Sequence, residues 1–165
     1  MKLYVLTLMT LLLAACGGPD VVPDRTDSDG LIRYAIPDGW ENTSISSGDH
    51  YKREGIENSP ILAIVARQRT SAPTNQQVQE GTRGKHELQG HALLDESTRM
   101  QNGFTVWEAV YEANLRGQEA ILHDVYLFSD ALQVEINLNA SRQDHEKFIP
   151  DLQVVVASLQ AITAE

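Results

Sequence analysis

Between residues 132 and 139, Leu132, Val134, Ile136 and Leu138 alternate strictly with Gln133, Glu135, Asn137 and Asn139. A repeat of two sends the sets to opposite sides of a strand, so the segment demands a sheet with one dry and one wetter face. Three further strand candidates precede it: Ala92 to Met100, Phe104 to Ala113 and Glu119 to Phe128. These and the last strand, Ala131 to Asn139, are joined at Asn102-Gly103, at Arg116-Gly117 and at Ser129-Asp130. Asn-Gly is the strongest short hairpin signal, because both residues tolerate the positive φ of a tight turn. The pattern predicts an antiparallel meander.

Upstream, Leu31 to Ile36 reads as a short strand stopped by Pro37-Asp38-Gly39, after which Trp40 folds back over the core. Residues 43 to 56 are polar and predict a hairpin-like excursion carrying Tyr51. The apolar run Ile61 to Ala66 reads as a central strand covered on both faces. Pro73 and Thr74 open a helix, with Thr74 as the cap, Gln77 at the capping-box position, sparse apolar contacts from Val78 and Leu88, and weak points at Gly81 and Gly84. After the meander, Ser141 is expected to cap a last helix in which Phe148, Leu152, Val155, Leu159 and Ile162 form one stripe. Pro150 predicts a kink or a fresh start there, with Asp151 in the new first turn. The expected class is α+β: an antiparallel sheet covered by helices. With 165 residues, 42% of them hydrophobic and 22% charged, there is material for one core in one domain.

The first fifteen residues read as a signal peptide: Met1 and Lys2, then the apolar run Leu3 to Leu13 closed by Ala14 and Ala15. The run is shorter than the roughly 20 helical residues a bilayer core needs. Leu13-Ala14-Ala15-Cys16-Gly17-Gly18 resembles the bacterial lipobox, and the chain's single cysteine occupies its cysteine position. The resemblance implies diacylglycerol on the Cys16 thiol, cleavage before it and acylation of the new amino group, a multi-chain anchor far firmer than one acyl chain. Gly17 stands where inner-membrane-retained lipoproteins carry Asp, which implies an outer-membrane protein facing the periplasm. Residues 16 to 30 then form the lipidated N-terminus and a flexible linker rich in Gly, Pro and Asp, with a reach of about 40 Å if polyproline-like. Asp27-Ser28-Asp29-Gly30 looks like part of a calcium loop, but Arg25 occupies the first ligand position and no closing glutamate follows at the required distance. The folded domain is expected over residues 31 to 165.

Within that span, Tyr34-Ala35-Ile36-Pro37-Asp38-Gly39-Trp40, the four central strands and Val156-Ala157-Ser158-Leu159 resemble the PsbP/DcrB-like domain over about residues 31 to 162. The resemblance implies an α/β/α sandwich on an antiparallel sheet. Members of that family include extrinsic photosystem subunits, envelope lipoproteins, and adaptor or immunity proteins accompanying type VI secretion effectors. Such a fold carries no reaction of its own.

Reactive motifs are missing from the residues themselves. There is no Gly-x-Ser-x-Gly elbow, since Ser46-Ser47-Gly48 lacks the flanking glycine, and neither a phosphate loop nor a dinucleotide fingerprint occurs, so no cofactor is expected. One cysteine excludes an intramolecular disulfide and a multi-thiolate metal site. Of His50, His86, His91, His123 and His145 only His86 and His91 are close, and their spacing of five differs from the four that metal pairs favour; solvent-facing histidines without metal are expected. His123 and Asp124, neighbours on a strand, point to opposite faces and form no dyad. Glu108 and Glu112 share a face about 13 Å apart, too far for an acid–base pair, and Glu135 falls opposite Glu108 or Glu119 depending on register. The chain is expected not to be an enzyme.

With 13 Lys and Arg against 23 Asp and Glu, the net charge of −10 disfavours nucleic acid and favours a protein partner with a basic surface. Candidate contacts are Tyr51, Arg53, Glu54 and Glu57 on the early excursion and Arg116 and Glu119 at a hairpin tip. The resemblance implies an immunity protein neutralising a secreted cell-wall-targeting toxin, with DcrB-like envelope maintenance or assembly as the alternative and weak binding of a small ligand or ion as a third reading.

Overall fold

The computed structural model describes residues 21–43, 48–56, 59–69 and 73–162. Its elements are β1 (Arg25–Thr26), β2 (Ile32–Tyr34), β3 (Trp40–Asn42), β4 (Asp49–Arg53), β5 (Ile61–Gln68), α1 (Asn75–Leu88), β6 (Ala92–Gln101), β7 (Phe104–Leu115), β8 (Gln118–Phe128), β9 (Leu132–Ser141), α2 (His145–Ser158) and β10 (Gln160–Ala161). The meander forms from tight turns. Asn102 and Gly103 (φ 50° and 80°) connect Gln101 to its partner Phe104, and Arg116 and Gly117 (φ 58° and 86°) connect Leu115 to Gln118. Positive φ at both central residues matches the twist of the flanking strands. At the second turn Asn114 Oδ1 accepts the Gly117 N–H at 2.8 Å.

The main sheet has the order β3-β4-β5-β9-β8-β7-β6, with every pairing antiparallel. Helix α1 carries the chain from β5, in the middle, across one face to β6 at the far edge. Its capping box is present: Thr74 Oγ1 accepts from the Gln77 N–H at 3.2 Å and Gln77 Oε1 accepts from the Thr74 N–H at 2.8 Å. On that face Trp107, Ala109, Tyr111, Tyr126 and Phe128 form a small core against Val78. The other face carries the main core, with Leu62, Ile64, Val125, Val134, Ile136 and Leu138 beneath Phe148, Leu152 and Val155 of α2. The layers are helix, sheet, helix.

Several expectations are corrected. The strand covered on both faces is β8, buried from Ala120 to Phe128, whereas β5 alternates and is covered on one face. Strand β8 runs between two neighbours under both helices. The last helix is continuous through Pro150, and its N-cap is Asp144. Ser141 sits a turn earlier, its hydroxyl donating to Asp144 Oδ2 at 2.7 Å. Asp151 does not open a new helix; it accepts Trp40 Nε1–H at 2.8 Å, while the Trp40 ring meets Phe148 edge-on at 5.8 Å. The stretch read as linker is paired with the domain from Asp24 onward: the Asp24 N–H donates to the Tyr34 carbonyl, β1 pairs with β2, and β10 closes a three-stranded sheet on the other side of β2. Asp27, read as solvated, is 7% exposed and accepts the N–H groups of Leu31 (2.6 Å) and Ile32 (2.8 Å), so its carboxylate holds a turn.

Candidate functional site

Residues 123 and 124 interrupt an otherwise apolar strand, and their side chains leave opposite faces of the sheet. Each anchors a carboxylate–histidine–histidine chain. On the α1 face, Asp124 Oδ1 accepts from Asn137 (2.8 Å), Asp124 Oδ2 meets His86 Nε2 (2.8 Å), and His86 Nδ1 meets His91 Nδ1 (2.8 Å). His86 also stacks on Tyr111 with ring centres 3.8 Å apart. On the α2 face, His123 Nε2 meets Glu108 Oε1 at 2.7 Å and His123 Nδ1 meets His145 Nε2 at 3.1 Å, while Arg99 pairs with the second oxygen of Glu108. The expectation of solvent-facing histidines fails for His86, His123 and His145, each at most 6% exposed. Among the described residues no group of His, Cys, Asp and Glu is arranged to hold a metal ion.

The second chain lies in a cleft. A space of about 600 Å³ opens between the N-terminal end of α2 and strands β6 to β8. Leu94, Val110, Ile121 and Ile149 give it an apolar collar; Asp95, Glu108, Arg142, Glu146 and the two histidines supply the polar groups. A bulge in β6 between Leu93 and Asp95 sets Asp95 on the cleft side, opposite Val110. Arg142 is engaged by Glu112.

The protonation of this chain follows from its charges. The hydrogen bond to His123, reinforced by Arg99, pushes the Glu108 carboxyl down to about 2 against the cost of burial. Burial, with His123 alongside, lowers the His145 imidazole below its ordinary value and keeps it neutral near pH 7. Ionised Glu108 accepts, so His123 donates to it from Nε2. His145 Nδ1 makes no hydrogen bond to another described residue. Glu146 Oε1 lies 3.9 Å from it. Neither ring is bonded to a hydroxyl or thiol of a described residue.

No family model and no curated protein matches the chain by sequence. Solved structures do. LpqN of Mycobacterium tuberculosis, involved in cell envelope biogenesis, is 15% identical over 90% of this chain and 88% of its own, with a TM-score of 0.64. Cyanobacterial PsbP (CyanoP) from Synechocystis sp. PCC 6803 is 13% identical over 91% of this chain and 99% of its own, with a TM-score of 0.60. The fold is PsbP-like. A Pseudomonas aeruginosa protein of unknown function, PA94, a putative regulator, is a more distant match at 12% identity over 76% of this chain and 99% of its own, TM-score 0.55.

The PsbP-like fold turns several expected contact residues inward. Tyr51 is 3% exposed and its hydroxyl meets that of Tyr34 at 2.9 Å, so it is a core residue and cannot anchor a partner. Arg53 is drawn onto the Asp38 carbonyl, Asp151 and the face of Trp40. Glu54, Arg116 and Glu119 are exposed, but the latter two stand at the β7–β8 tip, apart from the early excursion. Glu57 and Cys16 lie outside the described residues. Register sets Glu135 opposite Tyr126, on the face away from Glu108, so the carboxylates do not pair. Sequence reading missed the cleft. Its only signal was a polar pair, His123-Asp124, within a strand that is otherwise apolar from Ala120 to Phe128, because a buried polar group must find partners.

Proposed function

We propose that this chain is a non-enzymatic envelope lipoprotein, lipid-anchored through Cys16 to the outer membrane and facing the periplasm, that binds a protein partner at the α2–β6 cleft. The observation that carries the reading is the cleft itself: an apolar collar around a histidine–carboxylate chain that bonds no hydroxyl or thiol of a described residue. Volume and lining match those of ordinary ligand sites. The lipobox-like segment at the only cysteine supports the anchor, and the likeness to LpqN supports an envelope setting. Among the described residues no helix is long and apolar enough to cross a membrane.

Of the two roles weighed from sequence, the likeness to LpqN favours envelope maintenance or assembly over neutralising a secreted cell-wall-targeting toxin, whose early-excursion anchors Tyr51 and Arg53 are engaged inside the domain. Fractionation with affinity capture tests the whole reading. The wild type should sediment with outer membranes, Cys16→Ser should appear in the periplasmic fraction, and both should retain the same envelope partner. Membrane retention of Cys16→Ser, or wild type in the cytosol, refutes the anchor; turnover of a substrate by purified protein refutes the binding role. Protection of cells from a periplasmic toxin would restore the immunity role.

A further inference from the structure

We infer that the outer edge of β6 pairs antiparallel with the same strand of a second copy of this chain, in the register that sets Ser97 opposite Ser97 and Asp95 opposite Arg99. The inference goes beyond the partner-binding reading and does not depend on it, since it uses the edge of the strand and not the cleft. Strand β6 closes one side of the main sheet, and among the described residues no strand pairs with its outer edge. It is ten residues long and exposed over the first nine, whereas the opposite edge, β3, has three residues. An open edge of that length is a template for another strand, and proteins commonly blunt it with Lys, Pro or a bulge. Residues Ala92 to Gln101 contain neither Lys nor Pro, and the bulge lies between Leu93 and Asp95, which leaves the strand regular from Asp95 onward.

The Asn102-Gly103 turn fixes which peptide groups are free. In a two-residue hairpin the flanking pair, here Gln101 and Phe104, exchanges both hydrogen bonds, and the pattern alternates from there. Ser97 and Arg99 therefore turn their N–H and C=O groups toward β7, while Glu96, Thr98 and Met100 turn theirs outward. Asp95, Ser97 and Arg99 lie on the α2 face, opposite Val110, Glu108 and Val106; Glu96, Thr98 and Met100 lie on the α1 face. Two identical strands paired antiparallel keep each face on one side, so even positions meet even ones and odd positions meet odd. Centring the pair on Asp95, Glu96 or Arg99 sets that charge against itself, and centring on Thr98 leaves all three without a counter-charge directly opposite. Centring on Ser97 sets Asp95 opposite Arg99 twice and lets Glu96 and Thr98 exchange their free backbone hydrogen bonds twice. Within one copy Asp95 makes no ion pair, and the guanidinium of Arg99, already on Glu108, has further donors to offer it. The same register brings Met100, 69% exposed, beside the bulge at Leu94, 50% exposed. The net charge of −10 opposes association, but salt screens charges beyond about 8 Å, whereas side chains directly opposite on paired strands start about 5 Å apart. The two seven-stranded sheets then run on as one.

Cysteine crosslinking of the purified full chain, with detergent micelles in excess over protein, tests the register. Copper phenanthroline supplies the oxidant, and non-reducing gels read the product against wild type. Ser97→Cys should form a disulfide dimer rapidly, because the two positions face each other across the two-fold axis. Asp95→Cys and Arg99→Cys should each crosslink at least tenfold more slowly alone, since like positions then lie about 13 Å apart, beyond the reach of a disulfide. An equal mixture of those two variants should recover rapid crosslinking. Thr98→Pro removes an N–H that points away from β7; added to Ser97→Cys it should slow crosslinking at least tenfold while thermal unfolding stays with that of Ser97→Cys alone. Equal rates at positions 95, 97 and 99, no recovery in the mixture, or indifference to a folded Thr98→Pro would overturn the pairing. Crosslinking of Ser97→Cys no faster than wild type would overturn it too, and leave the edge to a strand of another protein.

Discussion

Replacing Glu108 by Gln preserves the shape of the α2-face chain and removes its charge. In the folded protein the carboxyl sits at about 2, well below its ordinary 4.5, chiefly through the hydrogen bond from His123 and then through Arg99. A gap of about 2.5 pH units corresponds to about 3 kcal/mol of stabilisation by the ionised form. The side chain is 23% exposed, and solvent screening trims this to about 2–3 kcal/mol. Because the folded value is depressed, the contribution is complete above about pH 4.5 and drains away as the pH falls toward 2; by pH 3 about 2 kcal/mol of it is gone. Urea unfolding of both proteins at pH 7, 5, 4 and 3 reads this directly. Glu108→Gln should be less stable by about 2–3 kcal/mol at pH 7, and the gap should narrow to about 1 kcal/mol at pH 3. A gap independent of pH, or one that widens on acidification, refutes the account of Glu108 as a pinned carboxylate.

Tyr34→Phe should lower the melting temperature by several degrees, about 2 kcal/mol, because the hydroxyl donates to buried Asp49 at 2.5 Å; an unchanged melting curve would contradict it. Gly48→Ala should cost about 2 kcal/mol or more, since φ is +93° and a Cβ would lie 2.7 Å from Val65 Cγ2 and 2.9 Å from the Ile64 carbonyl. Gly117→Ala, with φ +86° and open space around it, should cost only about 1 kcal/mol for the backbone, and equal costs by chemical denaturation would refute the steric part. Asp27→Ala should speed amide exchange at Leu31 and Ile32 and cost about 1 kcal/mol; unchanged protection at those two amides would show that the turn does not depend on the carboxylate.

Periodicity and turn chemistry made most of the fold legible. The alternation at Leu132 to Asn139 and the Asn102-Gly103 turn encode a local geometry that the rest of the chain does not have to supply, and the Thr74 cap with Gln77 is likewise self-contained. Misreadings came where tertiary context decides. An apolar run such as Ile61 to Ala66 looks the same whether one face or both are covered, and only the position of α1 and α2 over β8 settles it. Pro150 predicts a kink or a fresh start because its missing N–H costs a helix bond; packing of Phe148 before it and Leu152 after it carries the helix past it. The histidine chains were illegible for a different reason. His86 meets Asp124 across 38 residues and His123 meets His145 across 22, contacts that exist only after strand register and helix placement are known. The spacing of five between His86 and His91 excluded a shared helix face correctly, yet the chain reverses after Leu88 and brings His91 back.

Affinity capture from envelope fractions, comparing wild type with Asp95→Asn/Glu146→Gln in one experiment, bears on membrane-side binding and on the acidic cleft together. One envelope protein retained by the wild type and lost from the double variant, with both baits folded and equally abundant, is the outcome expected. The same protein retained in equal amount by both would contradict it.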